Sequence, residues 1–303
     1  MSRAIELAQG ADREKTAGRL LKSSADKFYD PDVDVDWTAA LIEGKAYQPE
    51  HRISLYGTPL WDRLSPQQRA DLGRHEIASV ASNGVWFEVL LMQMLLNEIY
   101  NGDPTTAHMQ YALTEIADEC RHSTMFGKLI NRLDAPAYGP RRRLRRMGRL
   151  LPIIGYGPAL YGSVLIVEEL LDRLQREAMV DESVQPMIRM VNRIHVLEEA
   201  RHVTFARQQI ALGMPKLSKA ELYYQRWLIG VVAFQVTHTL IHPRVYAAVG
   251  LDPREAWQVA MNNPHYHESL RWAAERLMAF LDDAGLIGAP GMRWWHKSHL
   301  IPA

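Results

Sequence analysis

The sequence predicts an all-α fold. Alternating runs of β-branched residues are scarce, while apolar residues recur at helical spacing over long stretches. Helix-starting and helix-ending signals punctuate those stretches and divide the chain into discrete helices. Composition supports a folded protein: of 303 residues, 47% are apolar and 23% charged.

Residues 1–65 read as an N-terminal arm. Ile5 to Leu21 is periodic enough for a helix, Asp30 to Trp37 is irregular, and Trp37 to Ile42 suggests a second short helix. Ser65-Pro66 is an N-cap followed by proline at the first helical position, and it opens a long helix over roughly 66–101. Asn101-Gly102-Asp103-Pro104 ends it. Thr105 or Thr106 opens a second long helix, roughly 105–133. Residues 134–157 form a connection rich in Pro, Gly and Arg. A third long helix covers roughly 158–181 and a fourth roughly 183–212, closed by Gly213 with Pro215 beyond. Ser218 caps a fifth to about Val249, kinked at Pro243, and helices at about 253–262 and 264–284 follow. The tail from Gly288 reads as irregular, with Trp294-Trp295 as an anchor.

Two pairs of long helices joined by a longer connection have the layout of a ferritin-like four-helix bundle. The chain is thus expected to be one domain over 1–303: an arm (1–65), a bundle (66–213), and additional helices with a tail (214–303). The uncharged run Leu150 to Val167 is long enough to span a bilayer, but two prolines and three glycines interrupt it and acids follow at once, so no span is expected. The N-terminus has no apolar signal region, which makes a cytoplasmic protein the expectation.

Lys+Arg and Asp+Glu both number 35, which excludes the basic excess of a dedicated nucleic-acid binder. The lone cysteine, Cys120, excludes intrachain disulfides and thiolate-rich metal sites. It lies about 100° around its helix from Glu119 and is expected to be a buried structural thiol. Any metal must be held by carboxylates and some of the 12 histidines.

One pattern stands out. Asp118-Glu119-Cys120-Arg121-His122 on the second long helix is matched by Glu198-Glu199-Ala200-Arg201-His202 on the fourth. Glu119 and His122 sit about 60° apart on one helical face, as do Glu199 and His202, so each pair can reach one ion. A single Glu-x-x-His is ordinarily a solvated pair. Two copies on paired helices fit a carboxylate-bridged di-iron or di-manganese bundle, which also needs one Glu from each remaining helix. Glu88 on the first helix has Val85, Leu91, Met92 and Leu95 as helical neighbours, whereas Glu98 near the helix end reads as solvated. On the third helix, Glu168 has Val164, Leu165 and Leu171 beside it, while Glu169 faces Asp172, Arg173 and Arg176. Glu88 and Glu168 are the better candidates, because a buried carboxylate needs a partner or a metal. His195, four residues before Glu199, shares its helical face and is expected to be a third imidazole ligand in preference to a core histidine. Asp118 and Glu198 are expected to hold His ligands from behind, since a metal-bound imidazole usually donates its second N–H to a carboxylate. The rival reading pairs them with Arg121 and Arg201.

In these residues the sequence resembles the ferritin-like di-iron N-oxygenases typified by 4-aminobenzoate N-oxygenase. That family's pattern is a Glu, then Glu-x-x-His, then a second Glu, then His-x-x-x-Glu-x-x-His. Glu88, Glu119 with His122, Glu168, and His195 with Glu199 and His202 match it in order. The resemblance implies two iron ions, O₂ as co-substrate, an external electron donor and a homodimer. It also implies oxidation of a small organic substrate: N-oxygenation of an aryl amine to a hydroxylamine or nitro product. Oxygen and imidazole donors would also accept manganese. C–H hydroxylation or desaturation is the rival chemistry, and a non-catalytic iron-binding protein the rival class. Asn83 and Gly84, just before Glu88, offer no basic group for a substrate carboxylate. His238 and His242, four apart, are expected to be structural or pocket-lining. The arginine run from Arg141 is expected to be a solvated crossover, with contact to a membrane surface as the lesser reading.

Overall fold

The computed structural model describes residues 3–302, with side chains described from Asp12 onward. Fourteen α-helices are present among them. The arm holds α1 (Arg3–Asp26), α2 (Pro31–Asp34) and α3 (Pro59–Asp62). Then come α4 (Pro66–Tyr100) and α5 (Ala107–Arg132), followed by the short α6 (Arg142–Gly148) and α7 (Leu151–Ile154). The long α8 (Gly157–Val180) and α9 (Pro186–Gly213) complete the bundle. Beyond it lie α10 (Lys219–Thr237), α11 (Arg244–Ala247), α12 (Pro253–Met261), α13 (Pro264–Asp283) and α14 (Met292–Lys297). No strand occurs among the described residues, so the fold is all-α and consistent with a ferritin-like bundle.

Local chemistry starts the main helices. Ser65 Oγ accepts from Gln68 N–H while Gln68 Oε1 accepts from Ser65 N–H, a reciprocal cap for α4. Thr106 Oγ1 accepts from Met109 N–H at the start of α5. Ser218 and Glu221 repeat the reciprocal cap on α10. Packing then decides orientation. The most extensive helix pairs are α8 with α9 and α4 with α5, and α5 against α9 and α4 against α8 close the ring. The first half of helix α8 is buried nearly all round, and α10 and α13 cover its outer side. Helix α1 lies across α5 and α9. The arm is also tied to the α8–α9 turn: Ala46 N–H donates to Ser183 O and Gln185 N–H to Ala46 O, both at 2.9 Å. Helix α4 is long and apolar enough to cross a membrane, but more than half of its most apolar window is buried in the fold.

Several elements differ from the sequence reading. Trp37–Ile42 is a turn, because Asp36 Oδ1 accepts from the N–H groups of Thr38 and Ala39 and competes with helical bonding. The connection over 134–157 carries the short helices α6 and α7, and it ends at Gly155-Tyr156-Gly157, where Gly157 adopts φ +58° and α8 opens where it was expected. The expected fifth helix stops at Thr237 and does not continue through Pro243. Ser79 Oγ–H donates to Leu240 O at 2.8 Å, and Asn83 Nδ2–H to Thr239 O at 2.8 Å, so α4 holds the chain in a reverse turn. His238 and His242 therefore do not share a helix. The tail carries α14, and Trp295 is its fully buried anchor.

Candidate metal centre

Four helices converge on one polar cluster inside the bundle. Glu88 comes from α4, Glu119 and His122 from α5, Glu168 from α8, and His195, Glu199 and His202 from α9. All seven side chains are buried, none more than 2% exposed. Glu119 and Glu199 lie at the middle. His122 Nδ1 is 3.0 Å from Glu119 Oε2 and 3.1 Å from Glu199 Oε1. His202 Nδ1 is 3.0 Å from Glu119 Oε1 and 3.1 Å from Glu199 Oε2. At one end, His195 Nε2 faces Glu199, Glu88 and Glu168 at 3.6, 3.7 and 3.9 Å.

The far sides of the imidazoles are held in a crossed arrangement. His122 Nε2–H, on α5, donates to Glu198 Oε2 on α9 at 2.9 Å. His202 Nε2–H, on α9, donates to Asp118 Oδ2 on α5 at 3.2 Å. Arg121 contacts both acids, and Arg201 lies 3.4 Å from Asp118 and 3.7 Å from Glu198. The two roles weighed for Asp118 and Glu198 thus coexist: each acid receives an imidazole N–H and neutralises an arginine. His195 Nδ1–H donates to Gln175 Oε1 at 2.8 Å.

Two residues of this surround carry sequence signals beyond the Glu-x-x-His pairs. Gln175 lies seven residues after Glu168, and so on the same face of α8. Glu115 lies four residues before Glu119, as His195 does before Glu199, so it is the pseudo-symmetric counterpart of His195. It is 1% exposed, and its carboxylate lies within 4.8 Å of ligand atoms of Glu119 and His202. Other acids of these helices sit elsewhere. Glu98 is half-buried and has partners: His108 Nε2 lies 3.1 Å away and the Tyr161 hydroxyl donates to it. Glu169 pairs with Arg207. Glu76 is buried against Ser54 and Gln48. Cys120, expected to be buried, is exposed, because the outer side of α5 beside Met92 is open to solvent.

The donor set fits a pair of metal ions. Glu88 Oε2, Glu115 Oε2, Glu168 Oε2 and His195 Nε2 are buried with no hydrogen-bond partner. Such atoms are costly unless something binds them. Electrostatics says the same. Burial, with the charges of Glu119 and Glu199, pushes Glu88 well above the carboxylate range; burial and Glu199 do the same to Glu168. Burial raises Glu115 to about 8. Burial also opposes the Glu199 charge, but His202 and His195 outweigh it and hold this carboxyl well below the usual range. Divalent cations would let all these carboxylates stay ionised together.

Two cavities meet at Glu168. One, of about 90 Å³, lies beside Glu88 and His195 and reaches Glu76 and Arg52. The other, of about 350 Å³, lies between α4, α8, α10 and the crossover helices.

An all-α bundle whose core gathers glutamates and histidines able to hold metal defines the class of protein. The family described as P-aminobenzoate N-oxygenase AurF matches residues 10–285, and the chain belongs to that family. At the family level this is a di-iron, N-oxygenase-like function. The chain is also 30% identical over 233 residues to uncharacterized proteins of Mycobacterium bovis and Mycobacterium tuberculosis. Each match covers 73% of this chain and 67% of the relative.

Proposed function

We propose that the protein is a di-iron oxygenase that uses O₂ to oxidise a small organic substrate, with N-oxygenation of an amine as its reaction. The observation that carries this reading is the set of unpartnered buried carboxylate and imidazole atoms turned on one another inside the bundle. Glu88, Glu119, His122, Glu168, His195, Glu199 and His202 would hold the two ions. Two ferrous ions, once bound, supply the electrons that activate O₂. In the overall reaction the amine, O₂, two electrons and two protons give a hydroxylamine and water. One oxygen atom forms the N–O bond, and an external donor supplies the electron pair.

The chain's own groups orient and exclude. Glu198 and Asp118 fix the rings of His122 and His202 so that both Nδ1 atoms point inward. Gln175 fixes His195 with Nε2 inward. Phe126 packs 5.0 Å from the His195 ring and keeps water from that side. The donor types suit iron or manganese without strong discrimination, and metal analysis of the purified protein distinguishes the two. The protein is proposed to work as a homodimer.

Anaerobic loading with ferrous iron, mixing with O₂ and mass spectrometry on a panel of aryl amines tests the reading. Two irons per chain and a product heavier by one oxygen are expected. A large hollow assembly that mineralises iron would support storage instead, and purified protein devoid of any bound transition metal would remove the metal centre altogether.

A further inference from the structure

The cavity that reaches Glu168 from the crossover side describes the molecule it takes. Of the two cavities that reach Glu168 it is the roomier, about 350 Å³ against about 90 Å³ beside His195. Its walls are apolar. Ser163 already donates its hydroxyl to Ala159 O at 2.6 Å, and Gln235 is the other neutral polar side chain on the wall. A charged group placed along this wall would lose water and meet no counter-charge.

The two ends are different. The inner end is Glu168, a proposed ligand. The outer end is formed by the crossover, where Met147 and Leu150 are each 53% exposed. Arg146 and Arg149 neighbour these residues in sequence and are exposed, as are Arg141, Arg142, Arg143 and Arg145. No acidic residue occurs between Asp134 and Glu168, so this cationic rim has no counter-charge within its own segment.

We propose that this cavity is the substrate site and that it takes an elongated amphiphile. Its apolar body lies between α4, α8 and α10, its oxidised end meets Glu168, and an anionic group stays outside against the crossover arginines. What happens at the inner end rests on the oxygenase reading, but the binding does not.

Trp86, Trp227 and Trp294 line the cavity, so quenching of tryptophan fluorescence by a brominated chain reports its occupation. The probes are 11-bromoundecanoate, its methyl ester and 4-bromobenzoate, each titrated into the iron-loaded protein and again after chelation of the metal. The long acid is expected to quench saturably, at least tenfold more tightly than the ester or the short acid. Val231→Phe, or Val232→Phe should the first not fold, narrows the cavity and is expected to weaken the long acid at least tenfold. Arg146→Glu with Arg149→Glu, at exposed positions, is expected to bring the acid down to the affinity of the ester and leave the ester unchanged. No saturable quenching, an ester or short acid that binds as tightly as the long acid, or affinities indifferent to these substitutions would overturn the proposal. Because the chelated protein is read as well, that result is separable from failure of the metal centre: binding can persist without iron, and iron can bind where the probe does not.

Discussion

Replacing Glu198 tests how the metal centre is held from behind. His122 Nε2–H donates to Glu198 Oε2 at 2.9 Å, and both side chains are fully buried. A hydrogen bond to a charged group contributes about 1.5–3 kcal/mol. At about 1.4 kcal/mol per factor of ten, that corresponds to roughly ten- to hundredfold in affinity for the ion beside His122. Glu198→Gln keeps an acceptor oxygen and loses the charge, so it belongs at the lower end. Glu198→Ala also leaves Nε2–H buried without a partner and belongs at the upper end. Asp118→Asn is the mirror experiment through His202, where the contact is longer at 3.2 Å and the expected loss smaller. The assay is anaerobic competition for ferrous iron against a chelator of known affinity, with circular dichroism to verify folding. Unchanged iron affinity in a folded Glu198→Ala protein would refute the reasoning, and Glu198 would then serve only to neutralise Arg121 and Arg201.

Other consequences follow from the same geometry. Glu199→Ala removes a carboxylate that faces both His122 and His202, and the purified protein should lose most of its iron by elemental analysis. Glu115→Ala should alter one of two iron environments in the Mössbauer spectrum of the ferrous protein, and a spectrum identical to the parent's would exclude Glu115 as a ligand. Burial raises Glu76 from 4.5 to about 7. The folded state therefore binds this proton more tightly, so its contribution to stability is full below pH 4.5, falls as pH rises towards 7 and is level above. The fall amounts to about 3 kcal/mol, and Glu76→Gln should flatten that part of the urea-unfolding profile of the metal-free protein. A Cβ at Gly148 would lie 2.4 Å from Trp86 Cζ2, so Gly148→Ala should loosen α6, cost about 1–3 kcal/mol and speed proteolysis at the neighbouring arginines.

The bundle was legible because its signals are local. Caps such as Ser65 with Gln68, and breakers such as Asn101 to Pro104, act over a few residues, and helix ends followed them within a residue or two. The Glu-x-x-His pairs were legible for the same reason, since one helical turn fixes their relation. The end of α10 was not, because it depends on Ser79 and Asn83, more than 150 residues earlier in the chain. Those two side chains were visible as polar residues on an apolar helix, but their partners were not. Cys120 failed for a related reason. Its angle to Glu119 placed it off the cluster, but whether that side of α5 is covered depends on which helices pack there.

The pseudo-symmetry of α5 and α9 stops at one position, and that exception organises the centre. Five positions correspond at a constant offset: Glu115 with His195, Asp118 with Glu198, Glu119 with Glu199, Arg121 with Arg201, and His122 with His202. Four of these pairs match in chemical type, and only the first sets a carboxylate against an imidazole. His195 faces Glu88 and Glu168, the two acids that α4 and α8 supply. Glu115 faces His202 and Glu119. A neutral imidazole at the end where two extra carboxylates gather, and a carboxylate at the other, would even the negative charge between two bound cations. The end that carries His195 is also the end where both cavities reach Glu168.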